Sequence, residues 1–62
     1  MLDIKIYRMR QVCEITGLRA STIYKLVRNQ AFPKPVHLTA RSTGWPSNLV
    51  HDWLSKKLEE QA

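Results

Sequence analysis

Sixty-two residues with ten Lys and Arg against five Asp and Glu, a net charge of +5, describe one small basic domain spanning 1–62 with room for a single core. The lone Cys13 excludes an intramolecular disulfide, and with only His37 and His51 to join it the chain is too thin in ligands for a structural zinc site. No apolar run approaches the about 20 residues of a membrane span, and the opening residues lack a continuous apolar signal segment, so a cytoplasmic location is expected.

The opening Met1 to Met9 alternates loosely, with Ile4 and Ile6 on one side of any extended segment, and reads as a short strand or a frayed arm. From about Gln11 the period changes to helical, with Val12, Ile15 and Thr16 on one side and Gly17 as a left-handed exit. Leu18 then turns back toward the core. A second helix is predicted from Arg19 or Ala20 to about Asn29, because Ile23, Leu26 and Val27 recur at spacings of three and four. Two short helices joined through a glycine turn read as a helix-turn-helix at about 11–29. Arg19 is a poor N-cap, since a guanidinium cannot accept the free amide hydrogen bonds of the first turn.

Pro33 and Pro35 are expected to end that helix and to favour extended backbone. Val36 and Leu38 alternate with His37 and Thr39, and a polar stretch containing Arg41 runs to Gly44, which reads as a small hairpin or wing at about 35–45, packed by Leu38 and Trp45. Ser47 is expected to cap a final helix at about 47–59, along which Leu49 and Trp53 recur at a spacing of four, as do Val50, Leu54 and Leu58, with the end fraying from Lys56. Trp45 and Trp53 are core candidates that supply much of the buried area. The fold class expected is mainly α with a small β-hairpin, a winged helix-turn-helix.

The charge is one-sided. Residues 1–41 hold eight basic and two acidic side chains, +6, whereas residues 42–62 hold two basic and three acidic, −1. One end of the domain is therefore suited to a polyanion. The outward side of the second helix presents Ser21, Lys25 and Arg28, with Thr22 and Asn29 at its edges. A helix of this kind fits a DNA major groove, where Lys and Arg pair with guanine and hydroxyls reach bases or phosphates. Tyr24 is a half-buried candidate for a phosphate contact. Arg19 before the helix, Lys34 held between two prolines, and Arg41 in the loop are further phosphate candidates, and Arg8 or Arg10 adds charge before the first helix. Each of these also reads as ordinary solvated surface.

Enzymatic chemistry finds no support. Cys13 has no histidine near it in sequence and reads as a packing residue, while His37 points outward from a strand and His51 sits with Asp52 on the polar side of the last helix. No catalytic residue, metal or cofactor is expected. The partner expected is double-stranded DNA, with neighbouring copies on DNA as further partners. A protein-binding adaptor that docks an acidic partner is the alternative from another class.

Four segments in order, MRQVCEITGL, STIYKLV, FPKPVHL and GWPSNLVHDWL, resemble the AlpA family of phage and prophage regulators over about residues 8 to 58. The resemblance implies a winged helix-turn-helix related to the DNA-binding domain of MerR-type regulators. It also implies transcriptional regulation of a mobile element, or an excisionase role in which bent attachment-site DNA and an integrase cooperate. By the same resemblance Ser21, Thr22, Tyr24, Lys25 and Arg28 match recognition-helix positions and Arg41 the basic position of the wing. A bacterial, nucleoid-associated location follows from that role. Two departures stand out: Arg19 occupies the place of a serine cap, and Pro46, Ser47 and Asn48 replace a more charged entry to the last helix.

Overall fold

The computed structural model describes residues 3–61; Met1 and Leu2 of the alternating opening segment, and Ala62, lie outside the described residues. The elements in chain order are β1 (Ile6–Tyr7), α1 (Met9–Thr16), α2 (Ala20–Arg28), β2 (Val36–His37), β3 (Thr43–Pro46) and α3 (Ser47–Gln61). The strands form one antiparallel sheet in the order β1-β3-β2. Three helices with a small sheet whose β2–β3 hairpin projects as a wing make this a winged helix-turn-helix.

The core is small and central to all three helices. Val12 of α1, Ile23 of α2 and Val50 of α3 have no exposed surface, and Phe32 and Trp45 complete the buried cluster. Full burial of one such aliphatic side chain stabilises by about 1.5–3 kcal/mol. Three of the apolar positions read from periodicity fall outside this core. Ile15 is 37% exposed, Leu49 39% and Leu58 70%, because each stripe drifts around its helix while the neighbouring elements cover only a narrow arc.

The turn between α1 and α2 follows from TGL. Gly17 adopts φ 75 and donates its N–H to the Cys13 carbonyl at 2.8 Å, a left-handed exit open to glycine without strain. The Thr16 hydroxyl donates to the Val12 carbonyl at 2.7 Å and accepts the Leu18 N–H at 3.2 Å, which turns Leu18 toward the core.

The end of α2 falls within one residue of the position read from the sequence, but the prolines do not set it. The helix stops at Arg28, well before Pro33, through a Schellman motif: Gln30 N–H donates to the Val27 carbonyl at 3.1 Å and Ala31 N–H to the Leu26 carbonyl at 2.8 Å. Gln30 holds the left-handed position at φ 59, where glycine is usual. The prolines instead stiffen the strand entry that follows. That connection is pinned by both tryptophans, with Trp53 Nε1 donating to the Ala31 carbonyl at 2.8 Å and Trp45 Nε1 to the Pro33 carbonyl at 2.7 Å. Phe32 sits between the two indoles in edge-to-face contacts, with centroids 6.2 Å from Trp45 and 4.8 Å from Trp53.

Within the opening segment Ile6–Tyr7 form a strand that pairs with β3. Ile6 lies opposite Pro46 and Tyr7 opposite Trp45. The pairing continues one step further: Ser47 N–H donates to the Lys5 carbonyl at 2.7 Å, while Lys5 N–H donates to the Ser47 hydroxyl at 2.9 Å. Ser47 is therefore buried, and its hydroxyl holds β1 instead of capping α3 as the sequence led us to expect. As the chain turns into the helix at Ser47 its carbonyl leaves the ladder, and the side chain supplies the missing acceptor. Pro46 is tolerated in the central strand because Ser47 N–H faces β1, so position 46 faces the other side, where β2 begins only at Val36 opposite Gly44.

Candidate nucleic-acid interface

Helix α2 is amphipathic in a simple way. At about 100° per residue, Ser21, Tyr24, Lys25 and Arg28 fall together on the side opposite the buried Ile23, and all four are exposed. Thr22 is half-buried at the edge of that side, next to Leu26. Tyr24 is 60% exposed, more open than the half-buried position anticipated for it; on the helix surface Ser21 and Arg28 flank it on the polar side and Val27 on the apolar side.

Arg19 precedes α2 in extended backbone, with φ −83 and ψ 155, and makes no side-chain cap. The residue is exposed and immediately precedes the first-turn amides of Ala20, Ser21 and Thr22, where the helix dipole is positive. Lys34 is exposed between the half-buried Pro33 and Pro35. The structure thus brings Ser21, Tyr24, Lys25 and Arg28 onto one surface, with Arg19 at its start, while Lys34 and Arg41 belong to separate segments after the helix.

Arg41 is at the tip of the wing. The hairpin register, Val36 opposite Gly44 and His37 opposite Thr43, continues through the Leu38 N–H bonded to the Ser42 carbonyl at 2.7 Å. Thr39 closes the turn: its hydroxyl accepts the Arg41 N–H at 3.3 Å and the Ser42 N–H at 3.1 Å. Arg41 itself is exposed. Leu38, expected to pack the wing, is 47% exposed, whereas Trp45 is buried.

Three residues outside α2 make contacts that were not read from the sequence. Arg8 is tied to the wing, its Nη1 donating to the Thr43 carbonyl at 3.0 Å, and its backbone N–H is received by Gln11 Oε1 at 3.0 Å at the start of α1. Arg10 pairs with Glu14 at 3.6 Å on an open helix surface, a contact of little energy. His51, which lacks a partner near it in sequence, meets Tyr7 across the fold, with the Tyr7 hydroxyl 3.0 Å from Nε2. A threonine at the start of a short polar loop was the one sequence signal for the wing-tip turn; nothing local marked Arg8.

Among the described residues no three or more His, Cys, Asp and Glu side chains gather to hold a metal, and no helix is long and apolar enough to cross a membrane. The arrangement offers hydroxyl, phenol, ammonium and guanidinium groups on one helical surface, and a guanidinium on a tight turn.

Comparison with known proteins gives this surface a context. The pattern of the family described as "Prophage CP4-57 regulatory protein (AlpA)" matches residues 5–58. The chain is similar to "Uncharacterized protein ORF88" of Enterobacteria phage P4, 32% identical over 54 residues that cover 87% of this chain and 61% of that protein. It thus spans about three fifths of the length of that phage relative. No solved structure matches it significantly. With nearly the whole helix-turn-helix, wing and last helix inside the matched region, the chain belongs to the AlpA family of prophage regulatory proteins.

Proposed function

We propose that this chain binds duplex DNA sequence-specifically and so regulates genes of a phage, prophage or other mobile element. The observation that carries the reading is the exposed side of α2, where Ser21, Tyr24, Lys25 and Arg28 stand together opposite the buried Ile23. A helix of this width enters a major groove, and Lys25 and Arg28 are the candidates for guanine O6 and N7. The first-turn amides of α2, with Arg19 beside them, suit a phosphate. Arg41 and Lys34 add phosphate contacts from the wing and its approach. Phosphates supply most of the affinity and a few base edges the selectivity.

A single module of this size buries only about 600–1,000 Å² on DNA. Selection from random duplexes followed by footprinting tests the proposal. An enriched motif protected over one major-groove face is expected; retention of no duplex at low salt overturns it. A role at attachment sites, with an integrase as partner, uses the same surface and is the second reading. Excision assayed with purified integrase separates it from promoter control, which the regulatory name of the family favours.

A further inference from the structure

Ser21, Tyr24, Lys25 and Arg28 are neighbours on the exposed side of α2, and one of them differs in kind. Ser21 adjoins Tyr24 and Lys25 at spacings of three and four, and Arg28 adjoins the same two at spacings of four and three. Ser21 and Arg28 therefore lie along the middle of the surface, with Tyr24 on one flank and Lys25 on the other. Three of the four end in a hydroxyl, an ammonium and a guanidinium group. Tyr24 adds an aromatic ring, is 60% exposed, and stands neither in the buried core nor among the apolar side chains packed against it. A tyrosine kept for packing buries its ring and leaves the hydroxyl in water. Here the greater part of the side chain is in water, on the surface that carries the candidate base contacts.

In the major groove guanine offers acceptors, cytosine a donor, adenine a donor beside an acceptor, and thymine an acceptor beside its C5-methyl group. Ammonium and guanidinium groups suit guanine. None of the four side chains carries a carboxylate to receive the cytosine amine or a carboxamide to pair with adenine. The thymine methyl calls for an apolar partner, and Tyr24 is the one of the four whose side chain is mainly apolar. We propose that Tyr24 sets part of the sequence preference by packing its ring against the C5-methyl of a thymine; the inference rests on the DNA-binding reading above. Adjoining side chains on a helix stand about 5–6 Å apart and successive bases of one strand about 3.4 Å, so this thymine lies within about two base pairs of the guanine read by Arg28. The ring does the reading, in contrast to the phosphate contact that a half-buried tyrosine makes with its hydroxyl alone. A tyrosine ring is stiff, and holding it against a base costs little conformational entropy.

The test replaces the thymines of the selected duplex, one at a time, by deoxyuridine, which lacks only the C5-methyl. At one position, within about two base pairs of the guanine whose preference Arg28→Ala relaxes, the wild type is expected to lose about fourfold in affinity, the worth of one buried methyl group. Tyr24→Ala should bind the thymine and deoxyuridine duplexes equally. Tyr24→Phe should keep the discrimination, because it keeps the ring. Tyr24 is outside the core, so both variants should remain helical by circular dichroism, and the deoxyuridine series on the wild type needs no variant. Equal affinity for thymine and deoxyuridine at every position, with the duplex still bound, overturns the methyl contact and leaves the DNA reading standing. Discrimination that survives in Tyr24→Ala also overturns it, by assigning the methyl to another side chain. So does a Tyr24→Phe protein as weak as Tyr24→Ala on both duplexes, which would give the hydroxyl a phosphate instead. If no duplex is retained at low salt, the DNA reading fails and this inference with it.

Discussion

Arg8 and Thr43 join the start of the helix-turn-helix to the base of the wing, the guanidinium Nη1 donating to the Thr43 carbonyl at 3.0 Å. The bond is exposed, so its removal in Arg8→Ala should cost only about 0.5–1.5 kcal/mol. Its larger effect should be on the hairpin, which is otherwise held at its base by β1 and Trp45. Amide exchange at Leu38 is expected to quicken more than exchange at Ile23. Equal protection of both sites in mutant and wild type would refute the tether.

Gln30 occupies the left-handed position of the Schellman motif at φ 59. A non-glycine residue held there costs about 1–3 kcal/mol, and glycine returns part of that gain to unfolded-chain entropy. Gln30→Gly should stabilise by roughly 0.5–1 kcal/mol, read as a higher urea midpoint at unchanged m-value. Gln30→Val, β-branched, should move the midpoint the other way.

Gly44 is needed for a different reason. A Cβ there would overlap the Ile6 Cγ2 methyl and lie 3.0 Å from the Tyr7 carbonyl oxygen. Gly44→Ala should therefore destabilise by about 1–3 kcal/mol through overpacking. Part of that loss should be recovered in the Ile6→Ala background, and a double-mutant cycle measures the coupling. Strict additivity would mean that the Tyr7 carbonyl, not the methyl, sets the limit.

On the recognition surface the variants should divide into two kinds. In the proposed DNA complex, Lys25→Ala and Arg28→Ala, which remove the candidate base contacts, should each cost about 1–3 kcal/mol on the selected site and relax its sequence preference. Arg41→Ala should weaken selected and scrambled duplexes alike and make the salt dependence shallower. With about four phosphates neutralised, log K against log salt should fall with a slope of about −3.6 in the wild type. Unchanged affinity in all three variants would remove this surface from DNA binding.

Much of the architecture can be traced to signals within a few residues. Val12, Ile23 and Val50 recur at helical spacing with their neighbours, Gly17 marks its own turn, and the polar stretch before Gly44 marks the hairpin. The amphipathic side of α2 was legible for the same reason, since a helix converts spacing in sequence directly into shared direction in space. Helix ends were less so. Pro33 looked like the stop for α2, but a backbone motif at Gln30 stops it earlier, and Ser47 looked like a free cap.

Tertiary structure alone decided the relationships between distant segments. Whether the opening residues fray or pair depends on β3 being there to receive them, and only then does the Ser47 hydroxyl become an acceptor for Lys5. Arg8 reaches Thr43, and Trp53 reaches Ala31, because packing brings those groups within hydrogen-bond distance. Ile15, Leu38 and Leu58 have the side chains of core residues yet remain in water. Apolar character is a property of one residue, whereas burial needs a second segment to arrive, and so short a chain has too few segments to cover every face it forms.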